Sequence, residues 1–158
     1  MNQALAVFRR LSRLPFGTRL FSWLLCRRAP YFRSIRPVVR EFAPGRVVVT
    51  MRKRRAVENH LRTVHAIAMC NMAEMAGGLL TEASVPAGAR WIPSGMRVQY
   101  LAKARTDLTA VSEDAGIDWS KPGNVEVPVV VQDTAGVVVF RALITMNVKH
   151  GGGTARPR

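Results

Sequence analysis

The sequence is short of cysteine, of acidic residues in its first third and of any long apolar run, and each shortage removes a class of protein. Two cysteines, Cys26 and Cys70, lie in unlike surroundings. They cannot make a disulfide framework, and they fit a reducing, cytoplasmic compartment. No apolar run approaches the roughly eighteen residues of a membrane-spanning helix. The longest near the N-terminus, FSWLLC, is far shorter, and Arg9, Arg10, Arg13 and Arg19 break up anything that could act as a cleaved leader. There is no internal repeat and no Walker, Rossmann, zinc-finger or metalloprotease spacing. Neither a metal nor a cofactor is expected.

Acidic residues are scarce in one place above all. Residues 1–55 hold fourteen Lys and Arg against the single acid Glu41, whereas residues 56–158 hold ten against nine, so almost all of the net charge of +14 is N-terminal. A nucleic-acid-binding domain would spread such charge over its folded face, and no nucleic-acid partner is expected. The pattern is that of a basic arm attached to a near-neutral domain. A chain of 158 residues with 48% hydrophobic side chains is long enough for one domain with a real core.

In chain order, residues 1–33 read as a basic extension with two short amphipathic helices. Leu5, Phe8, Leu11 and Leu14 form one stripe, Pro15 and Gly17 break it, and Leu20, Phe21, Trp23, Leu24 and Leu25 form the next. Their arginines either face water or meet a membrane surface, since aromatics with arginines suit the headgroup region. From Ser34 the period changes to that of strands. RPVVREF and RVVVTMRKR flank Pro44 and Gly45 as a hairpin, and Arg52 to Arg55 close its second strand. That cluster is either a solvated strand end or a phosphate contact, with Arg54 and Arg55 as the candidate ligands. Further strands are expected at Met96–Ala104 and over LTAVSEDAG, VEVPVVVQD and GVVVFRALITMNVKH. Pro128 should fall at an edge or a bulge. Residues 34–149 form the domain, and residues 150–158, ending in GGGTARPR, read as a disordered tail.

Between the hairpin and the later strands lies ENHLRTVHAIAMCNMAEMAGGLLTE, Glu58 to Glu82, expected to be one long helix. Val64, Ile67, Ala68, Met72, Met75, Ala76 and Leu79 keep helical spacing, and Thr63 is the expected N-cap. Gly77 and Gly78 each weaken a helix by about 1 kcal/mol, which implies a packing or ligand demand there. Glu74 follows His65 by nine positions, about 180° of rotation. The two side chains therefore point to opposite faces of one helix, and two copies of the chain could bring them together where one could not. Consecutive strands favour an antiparallel sheet, so the fold class is α+β, with the sheet wrapped around a single central helix.

Asn59, His65 and Glu74, with MRVQY, LAKA and Asp107 after the helix, resemble the hotdog-fold thioesterases over roughly residues 35–149. The resemblance is to the branch of the phenylacetic-acid-degradation type and a little-characterised subgroup beside it. That resemblance implies hydrolysis of an acyl thioester, acyl-coenzyme A or an acyl carrier, at sites shared across a homodimer or within a homotetramer. It gives Glu74 the role of base or nucleophile and has Asn59 orient the water or carbonyl. His65 would position the loop, and the Ala66 N–H would hold the thioester oxygen. Ile67, Gly77, Gly78 and Ser94 would border the substrate. Where that family has two glycines after the histidine, this chain has Ala66 and Ile67. A non-catalytic acyl-binding module and a peripheral membrane protein using the basic arm stand as alternatives.

Overall fold

The computed structural model describes residues 2–114 and 116–150. The stretch expected to be a disordered tail lies, from residue 151 on, outside the described residues. Asn2 caps helix α1 (Gln3–Leu11) through its side-chain oxygen, and α2 (Gly17–Arg28) follows after a turn at Phe16. A 3-10 segment, Pro30–Ile35, leads into strands β1 (Val38–Ala43) and β2 (Arg46–Met51), which turn at Gly45 with φ +84°. Helix α3 spans Ala66–Ser84, and β3 (Arg90–Tyr100), β4 (Leu108–Glu113), β5 (Gly123–Gln132) and β6 (Val138–Lys149) complete the described chain.

All six strands form one antiparallel sheet in the order β1-β2-β4-β5-β6-β3. Along β2, β4, β5 and β6 alternate side chains are fully buried, among them Val47, Val49, Ala110, Val127, Val129, Val131, Ile144 and Met146. That period of two places one face against α3, whose Met72, Ala73, Met75, Ala76 and Leu80 are likewise buried. The α+β reading holds. Gly77 explains how close the helix comes: a Cβ there would lie 2.9 Å from Ile144 Cδ1 and 3.4 Å from Val129 Cγ2. Its missing side chain makes room for the sheet.

Two boundaries differ from the sequence reading. Helix α3 begins at Ala66, eight residues later than expected, because Asn59 organises the preceding residues into a loop. Its Oδ1 accepts from the N–H of Leu61 at 3.0 Å and from the N–H and hydroxyl of Thr63, both at 3.2 Å. Thr63 is thus spent on Asn59 and does not cap the helix; His65 does. Strand β3 begins six residues earlier than expected, at Arg90, and stops at Tyr100. Pro93 and Gly95 flank a bulge on this edge strand, where a missing N–H and a shifted register are tolerated. The bulge lets Trp91 on one side of it and Met96 and Val98 on the other all pack toward the core.

Pro128 departs from the expected edge or bulge: β5 lies inside the sheet, between β4 and β6, and its one register shift is at Val131/Gln132. The β4–β5 ladder covers only Val130–Gln132 of β5, and the Pro128 carbonyl, pointing toward β4, accepts instead from Ser112 Oγ at 2.8 Å. Pro128 is paired with Leu143 of β6, and its missing N–H falls on the β4 side, which the β4–β5 ladder does not reach. The N-terminal helices close the other end of the sheet. Phe8, Phe21 and Phe42 meet with ring centroids 5.0 to 5.9 Å apart, and buried Ser22 Oγ accepts the N–H of Val39 in β1 at 2.8 Å. The β1 edge is thereby covered.

Candidate functional site

Three clefts surround the elements that carry the candidate residues. At the start of α3, a cleft of about 210 Å³ is lined by Tyr31, Ser34, Val57, Glu58, His65, Ile67, Ala68 and Asn71 among others. His65 Nδ1 accepts the N–H of Ile67 at 3.1 Å. A neutral imidazole in that arrangement keeps its proton on Nε2. His65 thus builds the helix start, and Asn59 builds the loop that delivers His65, its own amide nitrogen held by Thr63 Oγ1 at 2.9 Å. The role of orienting water, expected for Asn59, is not what its contacts serve: its oxygen already takes three local donors. The N–H of Ala66 has no acceptor among the described residues, and it sits at the positive end of the helix dipole.

Asn71 is the residue of this cleft that the sequence did not single out as a ligand. It is 5% exposed; Nδ2 donates to Ser34 Oγ at 3.1 Å, and Oδ1 is buried with no partner. Its signal in the sequence was only that Asn71 and Glu74 interrupt an otherwise apolar helix.

Glu74 lies elsewhere on α3, and it lines none of the three clefts. Cys70, Glu74 and Gly78 are spaced four apart and share one face. Cys70 Sγ is 3.4 Å from Tyr100 Oη, at one end of β3. At the other end, the ring of Trp91 lies where a Gly78 side chain would be, with Cη2 3.1 Å from a Cβ built there. Glu74, half-buried, falls between these two positions on the side of α3 that faces β3. Among the described residues nothing donates to it. Gly77 and Gly78 serve packing in this arrangement, Gly77 against the sheet and Gly78 against Trp91, and not the open substrate contact expected of them.

β3 is the second edge of the sheet, and among the described residues it pairs only with β6 and, unlike β1, has no cover. Ile92 is 62% exposed, Tyr100 and Leu101 50% each, and Ile67 on the facing helix start 53%. Ser94 sits at the bulge of this strand, its hydroxyl donating to the Thr145 carbonyl at 3.3 Å.

The basic cluster opens differently from its sequence. Arg52, Lys53 and Arg54 line a cleft of about 350 Å³ together with Arg19 from α2 and Arg36. The Lys53 N–H donates to Asp107 Oδ1 at 2.8 Å, which fixes the strand end, and Arg54 Nη2 donates to the Ser34 carbonyl while its Nε is buried without a partner. Arg55 is exposed and outside this cleft. Lys53 Nζ is paired with Glu58 Oε1 at 2.6 Å, which leaves four arginines around the opening and an excess of positive charge that suits an anion. No carboxylate lines it.

A family model described as a domain of unknown function, DUF4442, matches residues 17–148. The chain is similar, at 47% identity and a TM-score of 0.85, to the crystal structure of "genomics APC5556", with 94% of this chain and 99% of that one covered. A probable thioesterase, PA5026 of Pseudomonas aeruginosa, shares 18% identity and a TM-score of 0.72 over 86% of this chain and 96% of its own. Thioesterase HI1161 of Haemophilus influenzae shares 13% and 0.71 over 80% and 87%. Identities of this size speak to the fold. No curated protein matches the chain at a significant level. The chain belongs to the DUF4442 family, a domain of unknown function, and has the hotdog fold that it shares with these thioesterase structures.

Proposed function

We propose that the chain hydrolyses an acyl thioester, carried by coenzyme A or an acyl carrier, at a site completed by a second copy across β3. Glu74 carries this reading. It is a carboxylate without a donor of its own, set on a buried helix beside a sheet edge that has no partner. A second copy paired along that edge would bring its own α3 start toward the carboxylate. The thioester oxygen, which gains negative charge as the carbonyl is attacked, would then meet the unpaired Ala66 N–H, a donor already aimed and needing no reorganisation. Glu74 acts as base toward water, or as the nucleophile itself. His65 and Asn59 hold the helix start in place, Ile67 and Ser94 border the acyl group, and the cleft containing Arg54 takes the phosphates of the carrier, while Arg55, outside that cleft, has no part in holding them.

The test is thiol release from a panel of acyl thioesters of graded length. Glu74→Gln keeps the shape and removes the base, so turnover is expected to fall about 100-fold or more while binding persists. Unchanged turnover would take Glu74 out of the mechanism. A non-catalytic acyl-binding module is the second reading, favoured by one observation. The half-exposed Ile67 side chain stands at the helix start, where the thioesterases that this chain resembles carry glycine. Saturable binding with no thiol release from any member of the panel would establish that reading instead.

A further inference from the structure

Helix α2 is apolar on two opposite sides. Phe21, Leu25 and Cys26 face the core, and Phe16, Leu20, Trp23 and Leu24 face outward at spacings of four, three and one. The outward four are 75%, 46%, 53% and 42% exposed, with Phe16 projecting at the tip of the α1–α2 turn in the left-handed region, φ 59°. Arginines frame them. The Arg19 guanidinium lies 5.8 Å from the centroid of the Phe16 ring, and that of Arg27 lies 4.9 Å from Trp23, with Arg28 on the next residue. No acid occurs before Glu41.

We propose that this face of α2 docks on an anionic phospholipid bilayer, Phe16, Leu20, Trp23 and Leu24 entering the interface and Arg19, Arg27 and Arg28 meeting lipid phosphates. Aromatic and aliphatic side chains rimmed by long cations that can reach back to the headgroups make an interfacial anchor. Other occupants fit less well. A second copy packed face to face would set these arginines against one another. Single-stranded nucleic acid would use free ring faces for its bases, and a guanidinium already takes one face of Phe16 and one of Trp23. Among the described residues no helix is long and apolar enough to cross a membrane, so the contact is peripheral. The inference does not depend on whether the chain hydrolyses thioesters.

The full chain is to be sedimented with vesicles of phosphatidylcholine alone and of phosphatidylcholine with phosphatidylglycerol. Binding is expected to the second only, to weaken as salt is raised, and to bring Trp23 within reach of quenchers in the lipid. F16S/W23S removes two exposed rings, so it is expected to keep the thermal midpoint and any hydrolysis of the parent while losing vesicle binding at least tenfold. R27Q/R28Q is expected to weaken binding without abolishing it. Equal binding to neutral vesicles, or undiminished binding by F16S/W23S, would overturn the proposal. So would a drop in oligomer size caused by F16S/W23S, which would assign the face to a second copy. Inorganic phosphate that displaces the protein completely from vesicles at low millimolar level would overturn it too, as a site for free anion.

Discussion

Among single residues, Glu74 on α3 and Tyr100 at the end of β3 answer to different tests. The Tyr100 phenol is pushed up to about 12, chiefly by its pairing with the Cys70 sulfur and secondarily by burial. The native chain holds that proton more tightly than the unfolded chain, whose tyrosine ionises near 10. The resulting stability is therefore whole below pH 10 and is lost as the pH climbs toward 12. With the ring half exposed, the amount is small. Cys70→Ala removes the leading cause, so the phenolate absorbance of Tyr100 is expected to rise at lower pH, nearer 10. Superimposable titrations of parent and variant would show that the sulfur contact does not hold in solution. At this scale the sequence revealed residue types and not neighbours. The spacing of Asn59, His65 and Glu74 could be read directly, but the rotation between the last two could not, because His65 caps α3 in an extended conformation outside the helix. That Arg19 and Arg36 would join Arg52 to Arg54 depended on contacts between segments far apart in the chain, and that Asn59 would spend its oxygen on Leu61 and Thr63 depended on a local turn that competes with helix.

Secondary-structure elements were more legible, because their signals are local. The stripe-break-stripe pattern of residues 5–25 became α1 and α2, and the alternation around Gly45 became the β1–β2 hairpin. Errors arose where a polar or irregular stretch imitated something else. Residues 58–65 have enough helix formers to extend α3 backward, and only the Asx-type bonding of Asn59 prevents it. The expected start of β3 at Met96 leaves out Pro93 to Gly95, and only the edge position of that strand lets it run through them. The α1–α2 junction gives the sharpest test at this scale. A Cβ on Gly17 would sit 1.6 Å from the Leu11 carbonyl oxygen and 2.5 Å from its carbon, both backbone atoms that cannot rotate away. Gly17→Ala must therefore splay the two helices and loosen the contacts of Phe8 and Phe21 with Phe42. A loss of about 3 kcal/mol is expected in denaturant unfolding. Trypsin should cut faster at the arginines between Arg9 and Arg28. A parent-like midpoint and cleavage rate would mean that the junction relaxes without cost.

For the whole molecule, the two edges of the sheet pose unequal problems. β1 has six residues and is covered by α2, which even supplies Ser22 to one of its N–H groups. β3 has eleven residues and no cover among the described elements, so a row of backbone donors and acceptors faces outward beside Ile92, Tyr100 and Leu101. An edge that long invites pairing with another strand, and a twofold-related copy satisfies it with a closed, self-complementary contact. Sedimentation equilibrium should then find a dimer. Ile92→Lys places a charge near one end of that exposed strand without touching the core, so it is expected to weaken association about tenfold, equivalent to about 1.4 kcal/mol, while the far-ultraviolet dichroism stays that of the parent. If Glu74 works with the Ala66 N–H of a neighbouring copy, hydrolysis per chain must fall with dilution in step with the dimer fraction. In Ile92→Lys that fall must come at a concentration about tenfold higher. Full turnover by a chain that sediments as a monomer would show that one copy holds everything the reaction needs, and Glu74 would then require an oxyanion donor from its own fold.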